Sequence, residues 1–254
     1  MIPDDIKHNL TRMAHRATVR RYDASRPIDD DVLDAVLRAA SHAPSTGNMQ
    51  LYTVIVSRDP EALKRLQALH LGQPMAGSCS ALLTFCADTR RFARWCEARK
   101  TSSGLDNLSG LLLAVADATI FAQQAVAAAE AAGIGTCYLG TVTYDLDGFA
   151  RELELPDGVL PLFAVAMGYP DGELPQPSDR LPLEAVVHRE KYHDPSDADI
   201  DRYYADKEEL EESARFIAEN GRETLAQVYA EVRYPRAMNE KISDDLRAFV
   251  GKWK

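Results

Sequence analysis

The sequence predicts a fold that mixes α-helices with β-strands. Short apolar runs bounded by turn residues are typical of buried strands, and four of them occur, at residues 51–56, 81–87, 137–141 and 160–169. Segments whose apolar residues recur at helical spacing lie between these runs. With 254 residues and 46% hydrophobic content, the chain is long and apolar enough to bury a substantial core.

Three helices are predicted before residue 70. Residues 3–14 have the pattern of a short amphipathic helix, and residues 29–42 begin with three aspartates, which are favourable at a helix N-terminus. A third helix begins at Pro60, a residue suited to the first helical position, and runs to about residue 68. The charged segment 89–105, which contains Trp95, is either a mobile lid or a surface helix.

The longest helix signal covers residues 106–132 and ends at Gly133. Its faces are apolar nearly all round, which predicts a buried helix, whereas Asp106, Asp117 and Glu130 make a membrane span improbable. At about 1.5 Å per residue the helix would be about 40 Å long, which is long for one globular core. We therefore expect part of it to be buried across a subunit interface.

The C-terminal part of the chain changes in character. A short helix is predicted at 145–155, and a proline-rich loop covers 170–182. From residue 197 the chain is acidic and helical, so 197–254 is either a solvated tail or an arm that packs on a partner subunit. The arm is favoured because the segment has more aromatic residues than a free tail would carry: Tyr203, Tyr204, Phe216, Tyr229, Tyr234, Phe249 and Trp253.

Composition excludes several classes of function. A net charge of −10 and a pI near 5.1 argue against binding to nucleic acid or to anionic membranes. No segment has the pattern of an export signal, so we expect a cytoplasmic protein with reduced cysteines. We also expect no bound metal, because the four cysteines lack CxxC spacing and only His188 and His193 lie close together among the histidines.

Two N-terminal segments carry donors suited to a phosphorylated, hydrogen-bonding ring such as a flavin nucleotide. Arg16, Thr18 and Arg20 can bind a phosphate, although a salt-bridged surface helix end is the alternative. Ser45, Asn48 and Gln50 offer groups for the edge of an isoalloxazine ring, although a capped turn would have the same residues. Neither segment is specific alone.

Further candidates lie beyond these two segments. The sequence has no dinucleotide-binding GxGxxG, no Walker sequence and no GxSxG, which a flavoenzyme explains because the flavin carries the reaction. A strand end with a small residue lets the backbone approach a planar ligand. The additional candidate contacts are Gln73, Tyr138, Leu139, Gly140, Thr141 and Arg180.

Five motifs in order resemble the FMN-dependent nitroreductase family: RATVR at 16–20, APSTGNMQ at 43–50, GIGTCYLG at 133–140, LPLF with GYP at 160–170, and VHREKY at 187–192. The chain is most similar to the NADPH-dependent group of oxygen-insensitive nitroreductases and flavin reductases. The resemblance covers nearly the whole chain.

This resemblance implies a single α+β domain over 1–254, with a mainly antiparallel central sheet flanked by helices. It also implies a domain-swapped homodimer with one FMN per interface. By matching position, the FMN contacts are Arg16, Thr18, Arg20, Ser45, Gln73, Tyr138, Gly140, Thr141 and Arg180. Two positions depart from the pattern: Ser178 stands where relatives often have lysine, and Ala17 replaces a polar or basic residue.

The predicted function is that of an FMN-dependent NAD(P)H oxidoreductase. It would reduce nitroaromatics, quinones or flavins by ping-pong hydride transfer, with the backbone of Gly140 and Thr141 near the flavin N5 and no catalytic side chain. The alternatives are a dedicated flavin reductase, a dehalogenating relative, an FMN sensor or storage protein without turnover, and a colourless helical interaction protein. NADPH and NADH are not separated, because the candidate 2′-phosphate cations, Arg222, Arg233 and Arg236, lie in an acidic region.

Overall fold

The computed structural model describes residues 3–251 of the chain, apart from the side chains of Asp4 and Asp5. The backbone divides into two compact units. The large unit comprises Met1–Gln176 with Asp244–Lys254, and the small unit comprises Pro177–Ser243.

A four-stranded sheet forms the centre of the large unit. The strands are β1 (Tyr52–Ser57), β2 (Ala81–Asp88), β3 (Gly135–Leu139) and β4 (Val159–Gly168), in the spatial order β1-β2-β4-β3. Every neighbouring pair is antiparallel, and β2 is buried along its whole length. The sheet confirms the predicted α+β fold, and the predicted strands lie within two residues of the observed ones at each end.

The helices of the large unit are α1 (Asp4–Ala14), α2 (Asp30–Ala40), α3 (Pro60–Leu69), α4 (Pro74–Ser78), α5 (Arg90–Ala98), α6 (Leu108–Ala131) and α7 (Leu146–Glu152). Single 3₁₀ turns occur at Thr46–Asn48 and Gly140–Tyr144. Of the two interpretations of the segment 89–105, the structure therefore shows a surface helix at 90–98. Helix α4 was not predicted, because five residues are too few to show a period.

The sheet is covered on both faces. On one face, α2 and α6 contribute Leu33, Phe121 and Val126 to a cluster with Leu83 and Phe85 of β2. The other face packs against α3, α4 and α7, where Leu63, Leu66 and Phe149 meet Leu82. Successive residues of β2 thus point to opposite faces, as the strand period of two requires. The result is a helix–sheet–helix sandwich.

The longest helix is buried on one side within the single chain, and burial of its other side across a subunit interface stays a prediction. Helix α6 buries only its sheet-facing side, and Leu108, Leu112 and Ile120 are 67%, 62% and 43% exposed. By length and hydropathy alone it is the one helix among residues 3–251 that could span a membrane, a property that core helices of globular proteins share. Composition predicted the apolar surface correctly, but it could not show what covers that surface.

The small unit is helical. It contains α8 (Asp197–Glu208), α9 (Glu211–Glu219), α10 (Leu225–Gln227) with a π-helical extension at Val228–Arg233, and the first half of α11 (Arg236–Gly251). Its aromatic residues make contacts within the unit: the rings of Tyr229 and Tyr234 stack at 6.4 Å, and the Arg233 guanidinium lies 4.8 Å from the centre of the Phe216 ring. Trp253 lies outside the described residues. Packing of this segment on a partner subunit stays a prediction.

Candidate functional site

The first candidate segment runs beside the start of β3. The Val19 amide donates to the Thr136 carbonyl at 3.0 Å, and the Tyr22 hydroxyl donates to the Val19 carbonyl at 2.9 Å. A glycine is required at residue 135, because a Cβ there would lie 2.6 Å from the Val19 side chain. The segment is therefore held against β3 at Val19, and this contact positions the neighbouring residues Thr18 and Arg20 beside the strand.

Arg16 and Arg20 differ in how they are held. Arg16 donates from Nε and Nη2 to the Glu130 carboxylate at 3.1 and 3.0 Å, and the Thr136 hydroxyl donates to the same oxygen at 2.9 Å. Arg20 is exposed, and its guanidinium makes no hydrogen bond or ion pair with any residue of 3–251. Arg20 is thus the cation of this segment that is available to a ligand.

The carboxyl end of β3 presents the second group of candidates. Tyr138 is the exposed residue of this otherwise buried strand, and partial burial of its ring raises the pKa of the phenol to about 12. Leu139, the next residue, is buried. Gly140 is exposed, and a Cβ added there would meet no heavy atom within 4 Å. The backbone at this strand end therefore borders open space.

His70, which the sequence did not single out, lies behind this strand end. Its Nδ1 hydrogen-bonds with the Thr141 hydroxyl at 2.7 Å, and its ring packs edge-on against Phe149 with centroids 4.8 Å apart. The side chain is fully buried, and its Nε2 has no partner among the described residues. Burial lowers the pKa of this imidazole to about 4, so His70 is neutral near pH 7. Gln73 lies three residues later, and its backbone N–H donates to the His70 carbonyl at 3.2 Å.

A neutral buried histidine makes stability depend on pH. In the unfolded chain His70 has an ordinary histidine pKa near 6.5, whereas in the folded chain its pKa is about 4. Between these two pH values the unfolded chain therefore binds a proton at His70 that the folded chain does not bind. Unfolding should therefore become easier as pH falls from about 6.5 to about 4, by about 3 kcal/mol in total from this residue. Urea unfolding of wild type and His70→Asn across that pH range measures the free energy of unfolding of each protein. The contributions of the other titrating groups cancel in the difference between the two. Parallel stability curves for the two proteins would show that His70 does not titrate in this way.

The loop at 45–50 is the third group. The Gln50 side-chain amide donates to the Asn48 carbonyl and to its Oδ1 at 2.5 and 2.7 Å, whereas the Ser45 hydroxyl makes no hydrogen bond with the described residues. The loop is bound to Asp117 of α6, thirteen residues before Glu130, which holds Arg16. Thirteen residues of helix span about 20 Å. A single chain therefore does not bring this loop to the Arg16 end of the site.

The remaining candidate cations belong to the small unit. Arg180 donates from Nη1 to the carbonyls of Ser178 and Asp179, at 2.9 and 3.0 Å. Arg222 pairs with Glu231 at 2.8 Å, and Arg236 pairs with Glu240 at 3.4 Å. Two of the three candidate 2′-phosphate cations are thus already paired with carboxylates.

Neither a metal centre nor a reactive thiol stands out among the described residues. No group of three or more histidine, cysteine, aspartate or glutamate side chains within 3–251 could hold a metal ion. The four cysteines are buried free thiols, and burial raises the pKa of Cys79 and Cys86 to about 12. These groups are poor nucleophiles near neutral pH.

The sequence and fold of the chain are similar to those of several known proteins. Residues 13–169 match the nitroreductase family. The FMN reductase (NAD(P)H) of Bacillus subtilis is 34% identical over 243 residues, covering 89% of this chain and 93% of that protein. The oxygen-insensitive NADPH nitroreductase of Salmonella typhimurium is 31% identical over 183 residues, covering 72% and 74%. The crystal structure of a candidate oxidoreductase from Bacteroides fragilis superposes with a TM-score of 0.91 at 41% identity, covering 96% and 98%.

The four-stranded antiparallel sheet and the helical layers on its two faces place the chain in the α+β class. The chain belongs to the nitroreductase family. Membership confirms the resemblance stated from the five sequence motifs.

Proposed function

We propose that the protein is an FMN-dependent NAD(P)H oxidoreductase that reduces nitroaromatics, quinones or flavins by two-electron ping-pong transfer. The observation that carries this proposal is the arrangement along β3. Unpartnered Arg20 and Thr18 lie at its amino end, and open backbone at Gly140 lies at its carboxyl end. Four residue steps, about 13 Å in extended conformation, separate Thr136 from Gly140, which follows the last residue of β3. A ligand that contacts both ends must therefore be elongated.

FMN fits the donors that the chain offers. Arg20 and Thr18 would hold the phosphate, with Arg16 contributing through Nη1 while Nε and Nη2 stay on Glu130. Gln73 and Ser45 have side chains without a partner among the described residues and would bond to the polar edge of the ring. Tyr138, Leu139, Gly140 and Thr141 would border the ring face and its N5. Asn48 and Gln50 complete the proposed set on the large unit, and the role of Arg180 stays a prediction from the family resemblance.

When bound, FMN supplies the hydride-accepting and hydride-donating centre. The chain's own contribution is to orient the cofactor and the substrate and to exclude side reactions. Tyr138 stays a neutral phenol, and His70 stays neutral and fully buried behind Thr141, so neither provides a charged acid–base group at the strand end. We therefore assign the rate enhancement to geometry and to backbone N–H groups near Gly140.

One shared pocket for donor and acceptor has a kinetic signature. Double-reciprocal plots with NADPH and a quinone should be parallel, because NADP⁺ leaves before the quinone enters. Excess quinone should inhibit competitively against NADPH, because both would occupy the same pocket. Steady-state rates at several fixed concentrations of each substrate measure this. Intersecting lines would mean that both substrates bind together, and the shared-pocket mechanism would then be abandoned.

The names of the relatives favour two acceptor classes. The Bacillus subtilis relative is named as an FMN reductase and the Salmonella typhimurium relative as a nitroreductase. A dedicated flavin reductase is thus the second candidate function. It predicts turnover with free FMN that exceeds turnover with nitroaromatics or quinones at equal concentration.

We also propose that the protein is a cytoplasmic homodimer. Exposed Leu108, Leu112 and Ile120 give α6 an apolar outer side, and splitting a dimer would leave such a surface in water. The 20 Å along α6 between the 45–50 loop and Arg16 favours a site completed by a second copy. Sedimentation at low micromolar concentration should show one species near twice 28.1 kDa. An FMN-loaded monomer would contradict this architecture.

A further inference from the structure

Asp117 is the buried carboxylate of α6 and lies near the middle of its apolar run. Asp117 is 1% exposed and lies among alanine, leucine and phenylalanine residues of the helix. Its partners are neither cations nor neighbours in sequence. Oδ1 accepts from the Thr46 amide at 2.8 Å and from the Thr46 hydroxyl at 2.9 Å, and Oδ2 accepts from the Leu51 amide at 3.1 Å. All three bonds go to the two ends of one loop, residues 46–51.

This loop has an unfavourable backbone. Gly47, Asn48 and Gln50 all have positive φ, at +54°, +56° and +48°. Glycine adopts this region freely, but residues with side chains avoid it. Such a conformation persists only where the surroundings impose it. Two side chains stabilise the loop. One is Asp117, and the other is Arg91, which donates from Nη2 to the Gln50 carbonyl and, at 3.0 Å, to the Tyr52 carbonyl.

The ring-edge candidates Ser45, Asn48 and Gln50 are partly or fully accessible on this loop. Gly47 and Asn48 are exposed, while Thr46 faces the helix through its hydroxyl. The buried carboxylate therefore holds the inner side of the loop, and the outer side is left to a ligand.

We propose that Asp117 is a positioning residue that holds the 45–50 loop in the conformation that binds the flavin ring. This inference rests on the proposed function, because it takes FMN as the ligand of the loop. Asp117 itself does not touch the ligand. It sets the backbone from which Ser45, Asn48 and Gln50 reach it.

The test replaces one carboxylate oxygen of Asp117 by an NH₂ group. In Asp117→Asn, Nδ2 must face a backbone or hydroxyl donor, so at least one of the three bonds is lost. We expect FMN affinity to fall about tenfold or more, as for loss of a hydrogen bond to a charged group. The visible circular dichroism of the variant saturated with FMN should also differ from wild type. Without FMN, the Thr46 and Leu51 amides should exchange hydrogen faster than in wild type.

A second pair of variants changes the partner of Asp117 on the loop, the Thr46 hydroxyl. Thr46→Val removes the hydroxyl donor at nearly constant volume, and Thr46→Ser keeps it. We expect Thr46→Val to weaken FMN binding and to speed exchange at residues 46–51, and Thr46→Ser to restore both. This pair serves also if Asp117→Asn does not fold.

Two controls separate positioning from general stability. Asp59→Asn makes the same chemical change at the N-cap of α3, where the carboxylate accepts from the Ala62 amide and makes no bond to the loop. Leu63→Ala removes buried packing on the opposite face of the sheet. If Leu63→Ala loses as much stability as Asp117→Asn but keeps wild-type FMN affinity and dichroism, the effect of Asp117 is local.

The outcomes are distinct. Wild-type binding, dichroism and exchange in Asp117→Asn and Thr46→Val would overturn the inference and leave the proposed function standing. Wild-type protein that binds no FMN would overturn the proposed function and this inference with it. Loss of FMN affinity in equal measure in Leu63→Ala would assign Asp117 a purely structural role.

Discussion

Arg20→Ala should weaken FMN binding about ten- to a hundred-fold. The Arg20 guanidinium is exposed and has no partner among the described residues, and the segment that carries it is pinned to β3 through Val19. Losing a charge-assisted hydrogen bond to a phosphate costs about 1.5–3 kcal/mol, which corresponds to this change in affinity. Titration of apo protein with FMN measures it.

The adjacent arginine provides the control for Arg20. Arg21 is exposed and pairs with Asp171 at 3.0 Å, so Arg21→Ala removes the same charge from the same segment without removing a free donor. We expect Arg21→Ala to bind FMN nearly as wild type does. If Arg20→Ala keeps wild-type affinity, or if both variants lose affinity equally, Arg20 is not a specific phosphate ligand.

Gly140→Val should slow the bleaching of bound FMN by NADPH on the order of a hundred-fold, because small misplacements of reacting groups have effects of this size. The φ of Gly140 is not positive, and its Cβ position is clear of other heavy atoms within 4 Å. The backbone therefore tolerates valine, and the new side chain enters the open space at the end of β3. Anaerobic stopped-flow absorbance measures the bleaching rate.

Gly104→Val is the matched control for this change. Gly104 is also exposed, also lacks a positive φ and also has no heavy atom near its Cβ position, but it lies in the loop before α6. It should bleach at the wild-type rate. Equal slowing in both variants would remove Gly140 from the site. Loss of bleaching in a histidine variant that still holds FMN would reveal an acid–base residue instead.

Local pattern predicted the elements of the large unit well. The strands were visible because apolar runs such as 81–87 are bounded by turn residues, and α3 was visible because Pro60 marks its start. Helix α6 was predicted within two residues of its observed start, and its exposed outer side is the part for which the sequence predicts burial at a subunit interface. An alanine- and leucine-rich helix has the same composition whether a sheet or a second subunit covers it.

The contacts that organise the site could not be predicted from the sequence. Arg16 and Glu130 are 114 residues apart, and Thr46 and Asp117, like His70 and Thr141, are 71 residues apart. No local period links such pairs. A signal was present for Asp117, since a carboxylate in the middle of an apolar helix must find donors if it is buried. The sequence could not show that these donors lie on the 45–50 loop.

The most direct test of the account is the absorbance spectrum of the purified protein before and after anaerobic addition of NADPH. The protein should be yellow with bound FMN, NADPH should bleach it with one equivalent per flavin, and a quinone should then restore the colour. A colourless protein that takes up no FMN would contradict the proposed cofactor. A yellow protein that neither NADPH nor NADH bleaches would be an FMN-binding protein without this activity, and the central claim would be wrong.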